Sequence, residues 1–277
     1  MPDPRTVSRH YTHGALLDAI RDGVAKLGKS PSGVTLEELG AADEFHIGGR
    51  IATARFLEKL GITANDQVLD VGCGFGGASR FAAEAFGCAV TGIDLTEEYI
   101  AAGREINGWV GLSGRVTLEN GNATSLPYED GAFDKVYMLH VGMNVEDKDK
   151  MASEMFRVLR PGGRAGVYDI MQMNGDPLLF PVPWAASAAG SVVESPAVYK
   201  QALAKAGFHL THEEIRKQFA IEFFDKLRAS VSEAGGPPPL SLQLVMRDDA
   251  PKKIKNMVEN IKAGRIAPVE LIAEKPA

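Results

Sequence analysis

Cysteine, long apolar runs and an excess of basic charge are all scarce or missing in this 277-residue chain. Two cysteines are present, Cys73 and Cys88, and the first lies inside a glycine cluster. A structural disulfide is therefore not expected, nor is a zinc or other metal site, and the usage fits a reducing cytoplasm. No stretch approaches the roughly 18 apolar residues of a membrane span. Met1-Pro2-Asp3-Pro4-Arg5 lacks the apolar core of a secretory signal. Lys and Arg number 30 against 36 Asp and Glu, a net charge of −6, with one weak basic cluster at Lys252-Lys253-Ile254-Lys255. Nucleic acid is thus not expected as a partner, and neither is membrane insertion. No repeat or low-complexity tract stands out.

What remains is an ordinary globular composition, 45% hydrophobic and 24% charged. The length fits one α/β domain with a substantial insertion, or two small domains. Leu16, Leu17, Ile20, Val24 and Leu27 share one helical face, which predicts a helix over 13–27 with Thr12 as its N-cap. Residues 28–40 read as a polar connector, and a second helix runs over 49–60, closed by Gly61. Short apolar strands then alternate with helices. Strands are predicted at 67–71, 89–94, 116–119, 134–139 and 164–171, and helices at 78–86, 97–111 and 148–159. Such alternation builds βαβ units on a doubly wound, parallel sheet. Residues 174–196, rich in Pro, Ala, Ser and Gly, break the pattern. A helix at 197–206, a strand at 208–214, a helical stretch over 218–262 interrupted at Gly235-Gly236-Pro237-Pro238-Pro239, and a strand at 268–274 follow. The expected division is an N-terminal helical cap over 1–45 and a sheet domain over 46–277, with insertions at 174–200 and 218–262.

The first strand runs into Gly72-x-Gly74-x-x-Gly77, which opens a helix. Glycines there permit a tight turn and close approach of the backbone to a ligand, as at a nicotinamide dinucleotide site. Asp94, ending the next strand, suits ribose hydroxyls in any nucleotide. Asp70 separates the alternatives. A carboxylate beside a pyrophosphate costs on the order of 1–4 kcal/mol at surface-like dielectric, whereas beside an ammonium it attracts.

Val68-Leu69-Asp70-Val71-Gly72-Cys73-Gly74-x-Gly76 resembles motif I of the class I S-adenosylmethionine-dependent methyltransferases. Gly92-Ile93-Asp94-Leu95 resembles motif II, Phe133-Asp134 to Leu139 motif IV, and Arg157-Val158-Leu159-Arg160-Pro161-Gly162-Gly163 the turn before the fifth strand. The resemblance covers residues 60–172 and implies a seven-stranded sheet whose last strand is antiparallel. It implies S-adenosylmethionine as cofactor, with Asp70 on the methionine amine, Gly72 and Gly74 along the methionine, Asp94 on both ribose hydroxyls and Leu95 on the adenine. Asn122, where the family commonly has Asp, is assigned to the adenine amine, or else to a turn; Ala123 and Leu139 complete this wall.

Within that family the chain resembles the phosphoethanolamine and sarcosine/dimethylglycine methyltransferases, through Glu44-Phe45-His46-Ile47-Gly48-Gly49-Arg50, Tyr137-Met138-Leu139-His140 and, weakly, Asp248 to Arg265. This implies Tyr11 and His140 as a catalytic dyad, His140 serving as base or orienter. Each has a bland alternative, His140 as a structural group and Tyr11 as a packing residue. His46 is assigned to the cofactor, and Asn144 to the substrate or to a helix cap. The region after the fifth strand, Pro181-Val182-Pro183-Trp184 to Ser191, has no cation for a phosphate. Trp184, Met143 and Met171, together with Met138 and Met173, suggest an apolar, adaptable acceptor pocket, though methionines equally build cores. The expected activity is methyl transfer to a small-molecule acceptor, with N or S favoured and O or C open, by a monomer or homodimer. The alternatives are a nicotinamide-dependent oxidoreductase and a catalytically silent S-adenosylmethionine-binding partner protein.

Overall fold

The structure, a computed structural model, describes residues 4–246 and 249–277. Asp248, the start of one resembling stretch, lies outside them. Seven strands form one sheet: β1 (Gln67–Val71), β2 (Ala89–Asp94), β3 (Val116–Asn120), β4 (Phe133–Leu139), β5 (Leu159–Gln172), β6 (His209–Ile215) and β7 (Ile266–Glu274). Their order is β3-β2-β1-β4-β5-β7-β6, and β7 pairs antiparallel with both β5 and β6. This is the class I methyltransferase arrangement. The chain reverses its direction of progress between β1 and β4, so the carboxyl ends of those strands diverge into a crevice. Continuous apolar runs make both faces of the central strands buried, as a sheet covered on two sides requires.

On one face α4 (Gly49–Leu60) packs Phe56 and Leu60 on β5 at Gly166, while α5 (Gly77–Phe86) and α6 (Glu97–Trp109) bury Ala82 and Ile100 against β2 and β3. On the other, α7 (Lys148–Val158) and α8 (Pro196–Ala206) bury Met151, Met155 and Leu203 against β4, β5 and β7. The described residues between 217 and 262 form α9 (Lys217–Glu233), α10 (Leu242–Met246) and α11 (Ala250–Lys262), with the break after α9 falling where the Gly-Pro run predicts. Among the described residues no helix is long and apolar enough to cross a membrane.

The N-terminal region departs from expectation. Instead of one helix from residue 13 there are α1 (Pro4–Tyr11) and α2 (Leu16–Lys26), separated at Gly14, whose φ is +87°. Thr12 is not the cap of α2: its hydroxyl donates to Ser8 O at the end of α1, 2.9 Å away. The Glu98 carboxylate takes the capping role from α6, accepting the N–H groups of Gly14 (2.9 Å) and Leu16 (3.0 Å). A carboxylate 82 residues downstream of Leu16 leaves no local signal. The expected connector over 28–40 instead contains the start of α3 (Leu36–Asp43), capped by Thr35 and Glu38 in a reciprocal capping box. That signature is visible in Thr35-x-x-Glu38.

α3 is clamped to the glycine loop. Asp43 Oδ2 pairs with Arg80 Nη2 at 2.6 Å, both side chains being buried, and Arg80 Nη1 donates to Asn107 Oδ1 at 2.9 Å. A Cβ on Gly77 would collide with the Asp43 carbonyl oxygen, so this helix start can approach α3 only without a side chain. Replacing Arg80 by Leu leaves Asp43 buried and unpaired, which costs about 3–5 kcal/mol. We expect R80L to lower the urea midpoint accordingly, and a loss below about 1 kcal/mol would show the pair to be dispensable.

Candidate active site

The crevice collects one polar residue from each strand end. At the end of β1, Asp70 is buried and its Oδ2 accepts from Ser79 Oγ (2.6 Å) and Tyr137 Oη (3.1 Å). Burial pushes its pKa up to about 7 despite these bonds. The loop then turns through Gly72, φ +73°, where a Cβ would strike the Val141 side chain. At the end of β2, Asp94 accepts the N–H of Thr96 (2.8 Å) through Oδ1 and that of Gly74 (3.0 Å) through Oδ2. It thereby fixes the glycine loop, and burial also raises its pKa. Leu95, Asn122, Ala123 and Leu139 line the same cavity, which measures about 970 Å³ with its open mouth. Asn122 Oδ1 accepts the N–H and hydroxyl of Thr124, both at 3.0 Å, so it serves the turn while facing the cavity.

Tyr11, Phe45, His46 and His140 line this cavity and also a second one of about 550 Å³. The four form the partition between the two. His46 Nε2 lies 2.9 Å from Thr53 Oγ1, which contacts the Glu44 carboxylate; Glu44 in turn pairs with Arg50. With the Thr53 hydroxyl donating to Glu44, His46 Nε2–H donates to Thr53. Burial holds the His46 pKa down at about 4, so the ring is neutral, and burial with the neighbouring Asp43 lifts Glu44 to about 7.

His140 follows β4 with φ +54°, a left-handed conformation that costs a non-glycine residue roughly 1–2 kcal/mol. Its N–H donates to Tyr168 O at 2.7 Å. Behind it, Asp169 accepts from Tyr199 Oη at 2.7 Å, and a Cβ on Gly142 would collide with both of those groups. The backbone is therefore held tightly on the side away from the cavities. His140 Nε2 is buried with no hydrogen-bond partner, and burial holds its pKa well below the usual histidine value. A buried polar atom without a partner is rare and calls for a function.

Some expected relations fail. Tyr11 does not pair with His140; its hydroxyl donates to Asn144 Oδ1 at 2.7 Å, and Asn144 Nδ2 donates to Trp184 O at 3.1 Å. Met171 is no pocket residue: it points from β5 into the core with Met138, Met151 and Met155. Alternation along a strand does not reveal which face meets a cavity. Met143 and Trp184 do line the second cavity, and the latter's Nε1 donates to Ser191 Oγ at 2.9 Å. Phe45, Phe223, Phe224, Leu227, Met246 and Met257 join them without having been anticipated. Ala220, Phe223, Phe224 and Leu227 do carry the i, i+3, i+4, i+7 spacing of an inward helical stripe. The segment over the second cavity is tied by its own carbonyls: Pro181 O accepts from Asn256 (2.9 Å) and Pro183 O from His10 (3.0 Å).

A separate cluster, His212, Glu214 and Glu270, has the donor set of a metal site. The Lys59 ammonium sits among all three, at 3.1, 2.6 and 2.7 Å, with Arg55 on Glu214 and Arg216 on Glu270. Cationic side chains thus already neutralise it.

A family model described as a methyltransferase domain matches residues 68–163. A methyltransferase of Streptomyces halstedii, GfsG, is 35% identical over 44% of this chain and 44% of its own length. Phosphoethanolamine N-methyltransferase 1 of maize, Zea mays, is 32% identical over 62% of this chain and 34% of its own. The chain therefore spans less than half the length of these curated relatives. Among solved structures, phosphoethanolamine N-methyltransferase 2 of Haemonchus contortus in complex with S-adenosyl-L-methionine superposes with a TM-score of 0.73 at 21% identity, over 93% of this chain and 60% of that one. At this identity it establishes the shared fold.

Asp70 makes stability depend on pH. Below about 3.8 it is protonated whether folded or unfolded; above about 7 it is ionised in both, and the folded state bears the buried charge. Its contribution therefore falls as pH rises from about 4 to 7. Asp70→Asn, uncharged throughout, should gain on the wild type across that window in urea titrations of ligand-free protein. A wild-type-to-variant difference that stays flat with pH overturns this.

Proposed function

We propose, on the premise that residues 68–163 form a methyltransferase domain of the class I fold, that the chain transfers a methyl group from S-adenosylmethionine to a small-molecule acceptor. The observation that carries this reading is Asp70. A buried carboxyl near its pKa, with only hydroxyl partners, gains from a cation in the adjacent cavity and would be repelled by a pyrophosphate. The same feature disfavours a nicotinamide cofactor.

S-adenosylmethionine supplies a methyl group already activated on a sulfonium. Asp70 is assigned to the amine of its methionine part, and Gly72 lets the backbone approach it. Asp94 holds the N–H groups of Thr96 and Gly74, one on each oxygen, and the second lone pair of each oxygen is left for the ribose hydroxyls. Leu95, Ala123 and Leu139 offer apolar contact to the base. What remains for the protein is to align the acceptor, exclude water and take up a proton. Tyr11, Phe45, His46 and His140 stand where the two cavities meet, so the reacting atoms are assigned to that partition. His140 Nε2 is the candidate proton acceptor, since it is the buried nitrogen there with no other partner. Tyr11, fixed by Asn144, positions rather than titrates. Trp184 and Met143 shape the acceptor side.

Asp94→Ala removes charge-assisted bonds worth about 1.5–3 kcal/mol each, so S-adenosylhomocysteine affinity should fall by more than about tenfold in calorimetry. Unchanged affinity sinks the ribose assignment. For His140→Asn, which tolerates the left-handed backbone, turnover should fall by about a hundredfold or more while S-adenosylhomocysteine affinity is nearly kept. Wild-type turnover would make His140 structural.

A further inference from the structure

Among the described residues, the second cavity is walled by Phe223, Phe224, Trp184, Met246 and Met257, with no Lys, Arg, Asp or Glu in its lining. The ionisable side chains among those residues are Tyr11, His46 and His140. The first donates to Asn144 and the second, through Nε2, to Thr53, so His140 Nε2 is left without a partner. A phosphate, carboxylate or ammonium drawn from water into this space meets no counter-charge from the described residues, and burying an unpaired charge is strongly unfavourable. What the cavity demands is an apolar body bearing one hydrogen-bonding group that is neutral before reaction.

We propose that the acceptor is an uncharged, largely apolar alcohol or phenol, whose hydroxyl donates to His140 Nε2 and becomes a methyl ether. The assignment rests on the methyl-transfer reading above. The hydroxyl oxygen forms a bond to the methyl carbon as the carbon–sulfur bond breaks, its electron pair returning to sulfur. The O–H proton passes to His140 Nε2 and leaves to water when the product departs. An amine acceptor enters this cavity only after losing a proton in water, and a phosphorylated one not at all. The site therefore selects against the charged substrates named for phosphoethanolamine N-methyltransferases.

The test uses the full chain and two measurements. Calorimetry with S-adenosylhomocysteine asks first whether the cofactor cavity works; no binding overturns the methyl-transfer reading itself. With binding in hand, labelled S-adenosylmethionine is offered with ring- and chain-bearing alcohols and phenols, their amine, thiol and phosphomonoester counterparts, and phosphoethanolamine. Label recovered as a methyl ether from the neutral hydroxyl compounds is the expected result. Label on nitrogen, sulfur or carbon, on phosphoethanolamine, or on none of the panel overturns the proposal and leaves the cofactor reading standing. Leu227→Glu gives an independent check, because Leu227 lines the cavity yet is 37% exposed, so the new charge does not threaten folding. Its KM for the hydroxyl acceptor should rise by about tenfold or more with S-adenosylhomocysteine affinity unchanged; an unchanged KM shows that the acceptor lies elsewhere.

Discussion

A carboxyl group held in the dry end of the central strand governs much of this molecule. Asp70 cannot be solvated where β1 ends, and Ser79 and Tyr137 reach it from α5 and β4. Those two bonds tie together the elements that flank the crevice. They do not offset the burial, which leaves the group poised near neutrality. The ligand-free protein thus contains an unfavourable electrostatic feature at the place where a cation relieves it. Part of the stability forgone in folding is recovered on binding, which is how a buried ionisable group converts strain into affinity.

The same logic of fixing one element from a distance recurs. Glu98 on α6 caps α2, Asp43 on α3 meets Arg80 on α5, and Asp169 on β5 with Tyr199 on α8 confines Gly142 beside His140. Each link joins segments far apart in sequence, so the crevice is framed by the whole chain. Loops at such a site keep accurate geometry because rigid elements hold them, not because the loops are themselves stiff.

This explains what was legible in the amino-acid order and what was not. Strands β1 to β5 and the glycine loop follow from local patterns: apolar runs of strand length, Gly at positions of positive φ and Asp at strand ends. Most of the lining of the first cavity was readable for that reason, since Asp70, Gly72, Gly74, Asp94 and Leu95 cluster within the first βαβ unit. The second cavity is built by α1, α9, α10 and α11 and the segment 181–191, which come together only in the fold. Met171 was assigned to the pocket and lies in the core, while Met246 and Met257, which were not singled out, line the second cavity. Methionine's chemistry is the same in either place; only the tertiary packing decides. The start of α2 was placed at residue 13 and not at 16 because its cap comes from Glu98, and α1 was not anticipated.

The segment over the second cavity is fastened by what every residue possesses. Its attachments at 181, 183 and 184 run through main-chain carbonyls, gripped by Asn256, His10 and Asn144 from three separate elements. Bonds of that kind do not depend on which side chain stands at each position. Substitution there is limited by packing alone, which is tight at buried Trp184 and looser at the half-buried Pro181 and Pro183.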